Sequence, residues 1–344
     1  MINISEYSSE YESQWSEFVQ QARTSTIAHQ IGWKDVIAES LGHRPVYLIA
    51  TDNAKITGIL PMFLVRTWWR SRYVVSLPWI DYGGVCAEDT QSERLLLERA
   101  CEITEQAGAR FMELRSVAAS PAVDLITSDK KVTFLLELDA DPEKIWKGFN
   151  AKLRNQIRKA DKSGLTTEYG GLDKLDLFYR VFSYNMRDLG TPVWGMDFFE
   201  RILSTFRDSA RVILVRKDDK VIAGGLVLSF KDRFYVPSAS SYRSYLKYCP
   251  NHALYWRVIK DACEKGYKYF DFGRSTWNSN TFNFKKQWTP DPRQLNWQYH
   301  LNRVEDIPAV NPSNPKYRLF IGMWQKLPLA VANAVGPKLI KNFP

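Results

Sequence analysis

Two stretches of the chain carry the same succession of apolar and polar positions, about 166 residues apart. Residues 46–60 read VYLIATDNAKITGIL and residues 212–226 read VILVRKDDKVIAGGL. Aligned without a gap, Val46 falls on Val212, Leu48 on Leu214, Asp52 on Asp218, Ile56 on Ile222, Gly58 on Gly224 and Leu60 on Leu226. Each stretch is an apolar, β-branched run, then Asp-Asn or Asp-Asp, then another run, which is the pattern of a β-hairpin. More strand is expected at Met62–Val65 and Phe234–Pro237, and an apolar helix pattern follows at 95–107 and 254–265. The likeness resumes in a last strand, GARFMELRS (108–116) against GYKYFDFGRS (266–275), with one extra residue in the second copy. A period this long exceeds the roughly 20–50 residues of a solenoid repeat and marks a duplicated domain.

Helical periodicity precedes both hairpins. It covers Tyr11–Ala22 and Trp33–Ser40 before the first, and Glu143–Ser163, Leu175–Asp188 and Asp197–Phe206 before the second. The expected fold class is α/β (of the α+β kind), with two tandem domains, each a mixed, mainly antiparallel sheet flanked by helices. The boundaries expected are 1–140, 141–310 and a helical tail, 311–344.

Two segments are two-sided. In 143–164, Ile145, Trp146, Phe149, Leu153, Ile157 and Ala160 fall within about 120° of arc. Lys144, Lys147, Lys152, Arg154, Arg158, Lys159 and Lys162 occupy the opposite half, with Pro142 at the start and Gly164 at the end. Such a face is either solvated or an anion site. In the tail, Tyr317, Leu319, Phe320, Ile321, Met323, Trp324 and Leu327 form a stripe opposite Arg318, Gln325 and Lys326. Pro328 ends it, and a second short helix follows. Packing on the second domain accounts for this stripe, and in-plane contact of 316–344 with the inner membrane is the alternative.

Composition narrows the class. With 45% apolar residues, twelve tryptophans and no run of about 18 apolar residues, the chain reads as globular and not membrane-spanning. The polar, acidic N-terminus is unlike a secretory signal. Four scattered cysteines and four histidines suggest neither a disulfide framework nor a metal site, so a cytoplasmic protein without a metal or other cofactor is expected. The net charge of +9 favours anionic partners.

The element order, with two helices, a hairpin, a strand, a helix and a further strand, resembles that of GNAT-type acyltransferases. Their glycine-rich pyrophosphate loop has no counterpart in CPNHALYW (249–256) or DTQSERLLL (89–97), although Asn251 is expected to cap a helix whose start suits a phosphate. AKLRNQIRKADKSGL (151–165) and FDFGRSTWNSNTFNFKKQW (270–288) resemble the basic helix and the Phe-Lys loop of the FemABX peptidyltransferases. SLPWIDYGG (76–84), NMRDLGTP (185–192), CPNHALYW and FDFGRST are similar to words in FemAB-related proteins that accompany PEP-CTERM/exosortase systems of exopolysaccharide producers.

The resemblance implies transfer of an aminoacyl group from tRNA to an amine of a cell-envelope or exopolysaccharide precursor, with acyl-CoA as the competing donor. It implies Phe284 and Lys285 beside the reacting carbonyl, with Lys285 stabilising the oxyanion and Lys286 pointing elsewhere on a strand. Lys152, Arg154, Arg158 and Lys162 would hold the anionic donor; DNA is not an expected partner. Asp271 reads either as a base for the attacking amine or as the partner of Arg274. Arg187 and Asp188, before Gly190-Thr191-Pro192, read as a rigid loop whose arginine clamps a carboxylate or phosphate. Asp81 and Tyr82 sit in a glycine-terminated loop of the first domain. A non-catalytic polyanion-binding or membrane-scaffold protein would need the basic helix but not Lys285.

Overall fold

The computed structural model describes residues 1–308 and 315–343, without the side chains of 315–318, so those of Tyr317 on the expected tail stripe and Arg318 opposite it lie outside what is described. The chain divides into two compact units. The first comprises Met1–Val132 with the described residues of Gln294–Val310 and Lys341–Pro344; the second comprises Thr133–Arg293 with those of Asn311–Ile340.

In the first unit the order is β1 (Asn3–Glu6), α1 (Glu12–Gln21), α2 (Trp33–Leu41), β2 (Arg44–Asp52), β3 (Lys55–Arg66), β4 (Arg72–Val75), β5 (Cys86–Ala87), α3 (Thr90–Gln106) and β6 (Phe111–Leu114). Strand β7 (Ile126–Glu137) carries the chain onward. The second unit contains α4 (Pro142–Gly148), α5 (Ala151–Lys162), β8 (Leu165–Gly170), α6 (Leu175–Leu189), α7 (Met196–Thr205), β9 (Ala210–Lys217), β10 (Lys220–Phe230), β11 (Arg233–Ser241), α8 (Pro250–Glu264), β12 (Tyr269–Thr276) and α9 (Asn280–Lys285). Strand β13 (Pro292–Leu301) then pairs antiparallel with β6, Gln298 opposite Leu114, so the chain returns to the first unit. Helices α10 (Pro315–Gln325) and α11 (Leu329–Ile340) follow.

The duplication extends to topology. In the first unit β1, β2, β3 and β4 are successively antiparallel and β4 is parallel to β6 across α3. In the second, β8, β9, β10 and β11 repeat this and β11 is parallel to β12 across α8. Both hairpins close on two residues, Asn53-Ala54 (φ +48°, +65°) and Asp218-Asp219, the first of which has φ +54°. The second turn thus lies one residue earlier than the ungapped alignment puts it. These strands are apolar on both faces, so no alternation of polar side chains pins the register of the letters.

The core of the first unit forms where Leu96, Leu97 and Ala100 of α3 meet Val46, Leu48, Leu60 and Met62. Gly58 permits that approach, because a Cβ there would lie 2.9 Å from Leu96 Cδ1. In the second unit Gly224 faces Phe178 of α6 and Gly225 faces Leu254 of α8, so these helices cover opposite faces of β10.

Two expectations need correction. Met62–Val65 is part of the long β3, and the separate strand of the first copy is Arg72–Val75. The helix expected over 143–164 is two helices. Phe149 is extended and packs its ring edge-on against Trp256 and Trp288, and Asn150 caps α5 by accepting from Leu153 N at 2.9 Å. The Gly-x-Asn sequence at 148–150 ends one helix and caps another, which overrides continuous apolar periodicity. By its contacts the chain divides between Val132 and Thr133, inside β7. Helices α10 and α11 pack against α6 within the second unit, with Trp324, Ala332 and Gly336 buried. Among the described residues no helix is long and apolar enough to cross a membrane.

Candidate active site

The site begins where β12 stops being regular. Gly273 adopts φ +70°, a left-handed conformation that other residues enter only at a cost. Its N–H donates to Asp271 Oδ1 at 2.8 Å, and Thr133 Oγ1 donates to the same oxygen at 3.1 Å. The bend aims two successive carbonyls at one point, and Lys285 fills it. Lys285 Nζ donates to Gly273 O at 2.9 Å and to Arg274 O at 2.8 Å. Lys285 is 8% exposed and Asp271 2% exposed, whereas Arg274 is half-buried.

Lys285 ends the short helix α9 and does not lie on a strand. Ser279 caps α9 by accepting from Phe282 N at 3.2 Å. The neighbouring lysine still points elsewhere: Lys286 is exposed and lies 6.0 Å over the Phe282 ring. Phe284, half-buried, packs its ring 5.3 Å from both Tyr255 and His252. Burial holds the His252 imidazole down to about 4, hence neutral at ordinary pH. Trp288 lies 6.0 Å from His252 at an angle of 26°. His252 and Tyr255 lie in CPNHALYW and Trp288 closes the 270–288 word, but neither word gave these residues a role; the wall they form does.

Helix α5 lies beside α8. Its Leu153, Ile157 and Ala160 are buried, while Lys152, Arg158 and Lys162 are exposed and Arg154 is half-buried. None of these four cations makes an ion pair among the described residues, although the Arg158 guanidinium lies 5.4 Å over the Trp146 ring. Arg154 Nε is shielded from water without a protein acceptor. The α8 cap is Cys249 in a left-handed conformation (φ +59°), with Pro250 next, so Asn251 sits inside the first turn and is not the cap. Cys249 Sγ donates to Gln156 Oε1 at 2.7 Å, and burial pushes the thiol up, away from a nucleophilic thiolate. The first turn of α8 contains no acid. The corresponding helix α3 is closed by Asp89, which accepts from Ser92 N at 2.8 Å, and Glu93 adds a second acid.

Arg187 and Asp188 lie in the last turn of α6 and not in a loop; Gly190 (φ +77°) terminates the helix, and a Cβ there would strike Ile321. Arg187 Nη2 donates to Asp188 Oδ1 at 2.7 Å and the guanidinium lies 4.4 Å over Tyr184. Asp188 and Tyr184 line an open cavity with Lys220, Tyr242 and Tyr245. Asp81 and Tyr82 are buried in the first unit. There sequence reading missed an ion pair: Arg115 Nε donates to Glu113 Oε1 at 2.9 Å, Tyr299 donates to Glu113 at 3.0 Å, and Trp297 covers the guanidinium at 4.8 Å. The signal was the matched words FMELRS and YFDFGRS, which put acid and arginine at one place in both units.

The acetyltransferase (GNAT) domain model matches residues 147–286. No curated protein matches the chain. FemX, as a crystal structure, superposes with a TM-score of 0.65 at 13% identity over 93% of this chain and 100% of that one. The C-terminal domain of a putative lysylphosphatidylglycerol synthetase from Agrobacterium fabrum gives 0.58 at 14% identity over 86% and 92%. A tandem GNAT protein from the clavulanic acid biosynthesis pathway gives 0.54 at 10% identity over 89% and 100%. These likenesses and the repeated topology make the fold a GNAT-like tandem.

Proposed function

We propose that the protein is an acyltransferase that forms an amide bond on an amine of a cell-envelope or exopolysaccharide precursor, with aminoacyl-tRNA as donor. The observation that carries this reading is Lys285, a buried amino group fixed by the carbonyls of Gly273 and Arg274. A fixed cationic donor suits the oxyanion of a tetrahedral intermediate because it needs no reorganisation during the reaction. The amine nitrogen attacks the donor's ester carbon and the C–N bond forms. The C–O bond to the ribose then breaks, and the amine proton leaves with that oxygen. Asp271 acts here as a positioning residue, since its Oδ1 holds the Gly273 amide whose carbonyl receives Lys285. Phe284 and Arg274 flank the reacting groups, and Arg187 with Asp188 orients the acceptor. The uncapped α8 start, Asn251 and the basic face of α5 receive the donor's phosphates.

The match of a GNAT acetyltransferase domain to residues 147–286 favours a second reading, acyl-CoA as donor. One experiment separates them. Purified protein is incubated with an envelope extract and either charged tRNA or an acyl-CoA pool, and amide products are sought by mass spectrometry. Product with charged tRNA alone supports the first reading and product with acyl-CoA alone the second; none with either leaves a polyanion-binding module.

A further inference from the structure

The β3–β4 turn of the first unit projects two tryptophans into solvent, Trp68 at 74% and Trp69 at 50% exposure. The turn is held in shape. Thr67 N donates to Ser71 O at 2.9 Å, Ser71 N donates to Thr67 Oγ1 at 2.9 Å, and Arg70 takes φ +62°. The last described residues of the chain brace it from the side. Trp68 N donates to Asn342 Oδ1 at 2.9 Å, Tyr73 Oη donates to Asn342 O at 3.2 Å, and the Phe343 ring lies 5.9 Å from Trp69. A fold does not expose two indoles on a braced tip for its own stability, because burying them would be favourable.

The charges around this tip are of one sign. Arg66, Arg70, Arg72 and Lys341 are exposed, and none makes an ion pair among the described residues. Arg66 and Arg72 face each other across the base of the turn, a like-charge cross-strand pair that opposes folding unless an anion lies near. Aromatic side chains with a polar N–H, ringed by arginine, suit the headgroup boundary of an anionic bilayer. A second copy suits it less, because pairing the same patch would bring cation against cation. Stacked bases suit it less too, because Trp68 stands at 68° to Trp69 and the Phe343 ring, tilted at 53°, lies 5.9 Å from Trp69, so the two indoles offer no pair of parallel faces.

We infer that Trp68, Trp69 and their arginine collar form a docking surface for an anionic membrane, distinct from the tail helices and independent of the acyl-transfer reading. The test uses the full chain and vesicles of phosphatidylglycerol with phosphatidylethanolamine, against phosphatidylcholine alone, in a sedimentation assay. The protein should bind the anionic vesicles, and Trp68→Ser/Trp69→Ser should weaken binding at least about tenfold. Arg66→Gln/Arg70→Gln should weaken it roughly fivefold per charge on anionic vesicles only. Leu319→Ser/Met323→Ser in α10 should leave it unchanged. Brominated acyl chains should quench tryptophan emission of the parent protein and much less that of the tryptophan variant, a readout that checks the parent without any substitution. No binding by the parent overturns the inference, as does equal binding by the tryptophan variant. So does a tryptophan-dependent change in self-association, or in single-stranded RNA binding, without vesicle binding. Acyl transfer measured without vesicles should be the same in parent and tryptophan variant.

Discussion

The ends of β6 and β12 start from the same residue types and arrive at opposite outcomes. In the first unit Glu113 and Arg115 turn on each other, are sealed by Tyr299 and Trp297, and leave Arg115 only 2% exposed. In the second unit one inserted residue, Gly273, bends the strand, draws Asp271 onto its own amide, and turns two carbonyls toward Lys285. A single added residue therefore separates a closed ion pair from a prepared cation. Duplicated strands thus need not keep duplicated roles: one end is a sealed ion pair, and the other presents the amino group on which the proposed chemistry rests.

The largest expected effect falls on the closed end. Arg115→Met leaves Glu113 buried without its counter-ion, which typically costs about 3–5 kcal/mol. That is a large share of ordinary domain stability, and thermal melting should show a fall of roughly 10 °C. Turnover per folded molecule should persist below the melt. Normal melting with lost turnover would instead place the first unit in the chemistry and end the comparison.

Next comes the open end. Lys285→Met removes the fixed cation and should lower turnover roughly 100–1000-fold, about 3–4 kcal/mol of barrier, with donor binding weakened far less. Lys286→Met, on the exposed side of the same helix end, should stay within a few-fold of the parent. Equal losses at both positions would reduce Lys285 to general electrostatics. Gly273→Ala probes the bend itself. An L-residue in the left-handed region costs about 1–2 kcal/mol, so turnover should fall on the order of tenfold while Lys285 keeps its charge. An unchanged rate would mean that the bend does not matter for the position of Lys285.

How much of this was legible beforehand follows from where side-chain pattern and local geometry agree. Strand Phe111–Leu114 and helix Trp33–Leu41 were readable within a residue, because apolar spacing and flanking turn residues pointed the same way. The paired topology was readable from the repeated words. The break at Phe149-Asn150 was not, since periodicity continues through it while the capping geometry of Asn150 does not. Lys285 was picked out by its resemblance to a motif, but not its helix: NTFNFK looks strand-like, and only the Ser279 cap reveals α9. Glu113–Arg115 stayed hidden because a buried ion pair has no sequence period, and Tyr299, which completes it, lies far along the chain.

The smallest expected change in stability comes from a second pair of regions, the starts of α3 and α8. Helix α3 fills its own positive end with Asp89, whose carboxyl is held down by the Ser92 amide, and with Glu93. Helix α8 has no side-chain cap, no acid in its first turn, and the basic face of α5 as neighbour. An anion would therefore be repelled from the first and attracted to the second. Changing Arg154, Arg158 and Lys162 together to Ala should alter stability by no more than about 1 kcal/mol, mostly through the Arg158–Trp146 stack. Binding of charged tRNA should nevertheless weaken, and the slope of log affinity against log salt should fall by about two to three units if all three meet phosphates. Filter binding across a salt series reads both quantities. A parent-like slope in the triple variant would make the α5 face a solvated surface and remove the electrostatic half of the contrast, leaving the Gly273 bend to distinguish the two units alone.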